Sequence, residues 1–155
     1  MQGDEMTKIA SSSIEVERAS DEDLSAIEEL LSACKLPVDG VQDIVESFVV
    51  ARTNGNIVGA AAIEPCGPYG LLRSVAVDES TRGHGIGRAL VDSLLADAKR
   101  RGFRELYLLT TTAENYFPMF GFDVASRGAV PAEIQATSQF KDICPSSAIV
   151  MRRPI

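Results

Sequence analysis

The sequence has few of the residues on which several familiar kinds of site depend. It contains no tryptophan, one histidine and three cysteines, which lie far apart and form no CxxC pair. One histidine cannot build a zinc site alone, and scattered cysteines in an odd number indicate reduced thiols. We therefore expect no metal and a cytoplasmic protein. Because no run approaches the ~18 apolar residues of a membrane helix and no signal peptide is evident at the N-terminus, we also expect no membrane association.

Basic residues are outnumbered by acidic ones. Fifteen Lys and Arg stand against 22 Asp and Glu, which gives a net charge of −7. Because binding to nucleic-acid phosphates favours a basic surface, nucleic acid is not expected as a partner. A length of 155 residues suggests one domain. We expect a flexible, Ser-rich tail over residues 1–13 and a single domain over residues 14–155.

Hydrophobic periodicity and turn residues predict a chain in which strands and helices alternate. Ser20 and Asp23 have the spacing of a capping box before a helix, and Asn54-Gly55 predicts a β-hairpin. Other helices are expected at 39–47 (capped by Asp39), 86–101, about 113–119 and 131–140. Strands are expected at 14–17, 48–52, 57–64, 71–77, 105–109, 122–126 and 147–151.

The most distinctive stretch is the loop Arg82-Gly83-His84-Gly85-Ile86-Gly87-Arg88, between an apolar strand and an amphipathic helix. Glycine lets backbone N–H groups approach a ligand, and a helix N-terminus adds unpaired donors and a positive dipole end. The loop is therefore predicted to bind a pyrophosphate. It lacks the Lys-Ser or Lys-Thr of a P-loop, and its G-x-G-x-G spacing differs from the G-x-G-x-x-G of dinucleotide sites.

The pattern R-G-x-G-I-G after a strand ending V-A-V resembles the acetyl-CoA loop of the GNAT N-acetyltransferases. The later strings Asn115-Tyr116-Phe117 and Gly121-Phe122 fit the same family. The resemblance covers about residues 14–153 and implies an α/β fold with flanking helices and a mixed central sheet, splayed at the acetyl-CoA site. It also implies that acetyl-CoA is the cosubstrate, bound by Val75, Ala76, Val77, Arg82, Gly83, His84, Gly85, Ile86, Gly87, Arg88 and Asn115.

Within the family, the second half looks most like the arsenic-resistance-type N-acetyltransferases. It is also similar to the acetyltransferase domain of N-acetylglutamate synthase and shares its acceptor type with the phosphinothricin acetyltransferases. The strings that carry this likeness are L-L-R-S-V-A-V, L-Y-L-L-T-T-T-A-E and C-P-S-S-A-I-V-M-R-R. These resemblances imply a small anionic, glutamate-like amine as acceptor.

The implied reaction is direct attack of the amine on the thioester carbonyl in a ternary complex. Backbone N–H groups of Val75–Val77 would stabilise the oxyanion, and Glu64 is the candidate base unless it is only a solvated strand-end carboxylate. Phe117 stands where many family members have a tyrosine that protonates the leaving thiolate. Tyr116 is therefore the candidate acid, with water or no acid as alternatives.

Arg73 is the candidate anchor for an anionic acceptor. A charge within an apolar strand is costly unless it is paired, and a guanidinium binds carboxylates in a fork. The alternative is an outward or ion-paired arginine. Thr110 and Thr111 either donate hydroxyls to the acceptor or only satisfy the end of their strand.

Two other functions remain compatible with the sequence. A non-catalytic CoA-binding regulatory module is favoured by Phe117, and acetylation of proteins or peptides fits the acidic pI of about 4.7. The resemblance allows a homodimer, but no sequence feature fixes an interface.

Overall fold

The computed structural model describes residues 14–143 and 147–155, so the predicted tail at 1–13 and Cys144 lie outside the described residues. Seven strands form one mixed sheet in the order β1-β2-β3-β4-β5-β7-β6. Strands β4 and β5 are parallel, whereas β1–β2, β2–β3, β5–β7 and β6–β7 are antiparallel. The strands are β1 (Ile14–Arg18), β2 (Phe48–Thr53), β3 (Asn56–Cys66), β4 (Tyr69–Val77), β5 (Glu105–Thr110), β6 (Asp123–Ala125) and β7 (Ile149–Pro154).

In the part of the chain that the structure describes, the α-helices are α1 (Leu24–Ala33), α2 (Ile86–Arg101) and α3 (Ala132–Gln135). Short 3-10 helices occupy Asp21–Asp23, Val41–Ser47, Glu79–Thr81, Phe117–Phe120 and Arg127–Ala129, and a π-helical segment spans Gln139–Ile143. Within the described residues, no helix combines the length and the apolar character needed to cross a membrane.

The chain divides into two compact units. The first comprises the residues through Ala62 together with Ser74–Leu94, and the second comprises Ile63–Arg73 and Leu95–Ile155. By these bounds, each unit contains part of β3, part of β4 and part of α2.

The core of the first unit is built on the apolar face of α1. Ile27, Leu30 and Leu31 recur at helical spacing and are buried against β2 and β3, where they meet side chains such as Phe48 and Val50. The predicted capping box is confirmed, because the Ser20 backbone N–H donates to Asp23 Oδ2 (2.9 Å). Arg52 from β2 also donates to Asp23 (2.7 Å), which ties the helix start to the sheet.

The second unit has its own core on one face of β4, β5 and β7. Its buried members are Cys66, Leu71, Tyr107, Val130, Ile134 and Val150. Tyr107 and Val150 come from neighbouring strands, whereas Val130 and Ile134 come from the segment around α3 that covers this face.

The structure corrects three predicted helices. Residues 39–47 form a 3-10 helix over Val41–Ser47 that is interrupted at Ile44, and it follows Gly40 (φ 75°) rather than a capping Asp39. The helix expected at 113–119 is a turn followed by the 3-10 helix Phe117–Phe120, which has a proline in its first turn. The helix expected at 131–140 ends at Gln135, and helical structure resumes as the π-helical segment.

Candidate functional site

The glycine loop has the backbone shape that its sequence predicts. Gly83 (φ 87°) and Gly85 (φ 79°) both adopt the left-handed conformation, which side chains with a Cβ rarely adopt. Helix α2 begins at Ile86, and its first turn contains no acidic residue. The first N–H groups of a helix lack intrahelical partners, so the loop and the start of α2 can donate to an anion.

Gly59 has no side chain, and this allows β3 to lie close to the start of α2. A Cβ at Gly59 would lie 2.9 Å from both Ile86 Cγ2 and Leu90 Cδ1, and 3.4 Å from the Ala76 carbonyl oxygen. Ile86 and Leu90 are themselves buried. Packing therefore fixes the first turn of α2 within the first unit, and with it the C-terminal end of the loop.

The arginines of the loop are held differently. Arg82 Nε donates to the Val77 carbonyl oxygen (3.0 Å), and Arg82 Nη2 lies 3.6 Å from Cys34 Sγ, which itself donates to the same carbonyl (3.5 Å). Arg82 therefore ties the start of the loop to the end of β4. Arg88 is exposed, and its Nε lies 4.0 Å from Asp92 Oδ2. A loosely held guanidinium of this kind can reorient towards an anion.

His84 contributes to the shape of the loop. Its Nδ1 lies 3.0 Å from the Thr81 carbonyl oxygen, so the Nδ1–H tautomer donates there and leaves Nε2 facing away from this contact. The ring is exposed. This geometry matches a histidine that braces the turn through its contact with Thr81.

The strand before the loop changes backbone conformation at Ser74, where φ is 61°. A non-glycine residue in this region is uncommon and frequently marks a functional segment. Ala76 is buried, whereas Val75 and Val77 are half-buried. The segment predicted to contact the cofactor is thus the irregular end of β4.

Arg73 and Glu64, both in the second unit, form an ion pair. Arg73 Nη1 lies 3.1 Å from Glu64 Oε1, and their side chains are 3% and 22% exposed, respectively. A buried guanidinium requires such a partner. The two residues that we predicted separately as acceptor anchor and base are therefore in direct contact, and Glu64 is not a freely solvated carboxylate.

The remaining candidates lie at the end of β5 and directly after it, in the second unit. Thr110 Oγ1 accepts from the backbone N–H groups of Ala113 (2.8 Å) and Thr112 (3.3 Å), so it does satisfy the end of its strand. Its hydroxyl hydrogen is still available for donation. Thr111 and Asn115 are exposed, which leaves their side chains accessible to a ligand.

Phe117 is buried in an aromatic cluster. Its ring lies 5.2 Å from Tyr116 and 6.0 Å from Phe122, edge to face in both contacts. Tyr116 is half-buried and also packs against Phe120 (5.3 Å). Of the two aromatic residues at this position, only Tyr116 carries a hydroxyl.

Gly121 permits a close approach that holds this segment in place. It has φ 89°, and a Cβ there would lie 2.9 Å from Arg153 Nε. Arg153 Nε instead donates to the Phe120 carbonyl oxygen (2.7 Å). Arg153 therefore fixes the end of the aromatic segment.

Sequence reasoning did not identify the charged network that joins β5 to β7 in the second unit. Glu105 accepts from the Tyr107 hydroxyl (2.7 Å) and from Arg152 Nε (2.7 Å). These hydrogen bonds, that from Arg152 above all, hold the pKa of Glu105 below its ordinary value, while burial and Glu105 raise the pKa of Tyr107 to about 12. The period of two along β5 places Glu105 and Tyr107 on one face, but pairing with β7 is needed to add Arg152.

Cys66 is buried beside the Arg73–Glu64 pair, with Sγ 3.4 Å from the Glu64 carbonyl oxygen. Burial, with Glu64 and Glu133 adding to it, raises the pKa of its thiol to about 12. The thiol is therefore neutral near pH 7. Within residues 14–143 and 147–155, no group of three or more His, Cys, Asp or Glu side chains is arranged to hold a metal ion.

Comparison with known proteins adds a family assignment to this geometry. The model of the acetyltransferase (GNAT) family matches residues 14–122. The chain is 33% identical over 141 residues to an amino-acid acetyltransferase of Mycobacterium tuberculosis, covering 84% of this chain and 78% of that relative. It is 31% identical over 90 residues to an amino-acid acetyltransferase of Ectopseudomonas mendocina, but spans only 21% of that protein and aligns over 57% of this chain.

Solved structures agree with the fold. A Mycobacterium tuberculosis protein in complex with CoA has a TM-score of 0.78 and 25% identity, covering 91% of this chain and 99% of that one. The N-acetylglutamate synthase of Neisseria gonorrhoeae, complexed with coenzyme A and L-arginine, has a TM-score of 0.77 and 21% identity. The match covers 97% of this chain and 34% of the synthase.

Proposed function

We infer the reaction from one premise, that the chain belongs to the acetyltransferase (GNAT) family. Members of this family transfer an acetyl group from acetyl-CoA, and we assign that cosubstrate here. The proposal concerns the acceptor, which we assign as a small, anionic, glutamate-like α-amine. The observation that carries it is the buried Arg73 in contact with Glu64.

The loop would bind the pyrophosphate of acetyl-CoA chiefly through its backbone. Gly83 and Gly85 are left-handed and carry no side chain, so amides of the loop and of the first turn of α2 would be able to approach the phosphates. Arg88 would swing from Asp92 to the phosphates, whereas Arg82 would keep the loop attached to β4. Val75–Val77 would receive the pantetheine arm, and Asn115 would add a side-chain contact.

The acceptor would be bound by the Arg73–Glu64 pair. Arg73 Nη1 contacts Glu64 Oε1, and a guanidinium binds a carboxylate in a fork. The acceptor anion would share this fork, which places its ammonium beside the Glu64 carboxylate. Glu64 would then accept the ammonium proton, directly or through water, before nitrogen attacks the thioester carbonyl. Thr110 and Thr111 would donate hydroxyls to the same anion.

Backbone N–H groups of Val75–Val77 would stabilise the negative charge that develops on the thioester oxygen. Tyr116 would protonate the CoA thiolate as it leaves, since Phe117 cannot. The name shared by the two curated relatives, amino-acid acetyltransferase, supports an amino-acid acceptor. Arsenical and phosphinate analogues of glutamate fit the same anion-binding fork.

Acceptor kinetics of Arg73 variants test this assignment. Arg73→Ala is expected to raise KM for glutamate and phosphinothricin about tenfold or more, and to raise KM for a neutral amine little, because one charged contact is lost. Arg73→Lys keeps the charge without the fork and should fall between the two. Equal effects on anionic and neutral acceptors would refute the anchoring role.

The buried Phe117 favours one other candidate, a CoA-binding module without acetyltransferase activity. Such a protein would bind acetyl-CoA and release no amine-dependent thiol. A histone-like peptide in the same acceptor panel tests the third candidate, peptide acetylation. Preference for the peptide over glutamate would replace the proposed acceptor.

A further inference from the structure

A charged cavity lies in the second unit, over a row of side chains that crosses three strands. Tyr107 on β5 pairs with Arg152 on β7, which in turn pairs with Asp123 on β6, so all three positions share one transverse row. A cavity of about 420 Å³ is lined by this row, by Glu105, and by Ser126 and Ala129 of the following segment. This volume is within the range of small-molecule sites.

The base of the cavity is a fixed network. Both carboxylate oxygens of Glu105 are occupied, one by the Tyr107 hydroxyl and the other by Arg152. Arg152 uses Nε and Nη2 for this contact. Its Nη1 group therefore remains as a donor whose position Glu105 fixes.

Asp123 supplies the complementary charge. It lies directly opposite Arg152 in the β6–β7 ladder, and within the described residues its carboxylate has no hydrogen-bond or ion-pair partner. Ser126 Oγ accepts from the Gly128 N–H (3.3 Å), which leaves its hydroxyl hydrogen for a ligand. The cavity thus presents an unpaired carboxylate, a held guanidinium and a hydroxyl.

We propose that this cavity binds a free α-amino acid with a neutral or basic side chain. The ligand ammonium contacts Asp123, and its carboxylate contacts Arg152 Nη1 and the Ser126 hydroxyl. The two carboxylates and one guanidinium around the cavity sum to −1, so a ligand with an additional negative charge is disfavoured. This selectivity is opposite to that of the proposed acceptor site, and the inference does not depend on the acceptor assignment.

NMR titration of the ¹⁵N-labelled protein without acetyl-CoA tests the proposal, with L-lysine as the probe. Amide signals of 105–107, 123–129 and 152 should shift, with a Kd of about 10 mM or below. L-Glutamate, acetate alone and methylamine alone should shift these amides much less. Shifts confined to the neighbourhood of Glu64 and Arg73, or no shifts at these positions, would overturn the proposal.

Asp123→Asn provides the matched variant, because it keeps the shape and removes the charge. Its affinity for L-lysine should fall about tenfold, as expected for losing one charged hydrogen-bond partner. Ser126→Ala should weaken binding less, and the unperturbed amide spectrum of each variant reports correct folding. The rate of acetyl transfer by Asp123→Asn should match that of the unchanged protein. An unchanged lysine affinity in Asp123→Asn would refute the site.

Discussion

Replacing Gly85 by alanine tests whether the loop acts through its backbone. Gly85 has φ 79°, and no atom lies within 4 Å of the position a Cβ would take. Alanine therefore introduces conformational strain without a clash. The left-handed conformation costs a residue with a Cβ about 1–2 kcal/mol, and the lower entropy of the unfolded chain returns about 0.4–1 kcal/mol. We expect a net loss of about 1 kcal/mol, or about 2–4 °C in Tm.

Gly102 supplies a control with the same strain in another place. It has φ 78° at the end of α2 and likewise has open space around the Cβ position. Gly102→Ala should therefore lose a similar stability. Only Gly85→Ala should weaken acetyl-CoA binding, by about tenfold or more, because hydrogen bonds to charged phosphate are each worth about 1.5–3 kcal/mol.

Two measurements decide the outcome. Denaturant unfolding gives the stability of both variants, and calorimetric titration with acetyl-CoA gives their affinities. Equal affinities for the two variants would show that the loop backbone does not bind the cofactor. A loss of affinity in both variants would show that weaker binding follows from general destabilisation of the protein instead.

Three further predictions concern single groups. Arg152 lowers the pKa of Glu105, so the stabilisation from the Glu105 carboxylate is present above its unfolded pKa of about 4.3 and is lost as pH falls through the folded pKa. The difference in unfolding free energy between the protein and Glu105→Gln should therefore shrink below about pH 4. A difference that does not change with pH would contradict this. Iodoacetamide at pH 8 should modify half-buried Cys34 and spare buried Cys66, whose pKa is about 12. Mass spectrometry of the peptides measures both reactions, and rapid alkylation of Cys66 in the folded protein would oppose this prediction. Tyr116→Phe should lower kcat about tenfold or more with little change in the KM for acetyl-CoA, because general acids contribute about 10²–10⁴-fold. An unchanged kcat would show that Tyr116 is not the acid and that water protonates the leaving thiolate.

The strong local signals in the sequence predicted most of the sheet. Asn54-Gly55 fixes the β2–β3 hairpin, with Asn54 at φ 52° and Gly55 at φ 81°. The long amphipathic pattern from Ile86 predicted α2, and Gly102 predicted its end. These elements carry their information within a few neighbouring residues, so no tertiary contact was needed to find them.

The α-helices predicted at 39–47 and 113–119 were wrong because turn residues there override helix propensity. Gly40 in the left-handed region and the non-helical Ile44 restrict 41–47 to 3-10 turns. Pro118 at the start of the segment after Tyr116 has a similar effect. In each segment an apolar pattern is compatible with either helix type, and the turn residues decide between them.

The charged contacts depended on pairings that periodicity cannot supply. Arg73 and Glu64 were each recognisable as unusual residues, but their 3.1 Å contact joins residues from two strands. The row from Tyr107 through Arg152 to Asp123 likewise exists only once β5, β7 and β6 are in register. Contacts of this kind follow from the order of strands in the sheet.

The most direct test of the account measures two products of one incubation. The protein is mixed with acetyl-CoA and glutamate, and free CoA thiol and N-acetylglutamate are quantified together, with an incubation lacking the amine as the control. The account predicts one N-acetylated product for each thiol, and thiol release that depends on the amine. Thiol release without an amine, or binding of acetyl-CoA with no acetylated product from any amino acid, would contradict it.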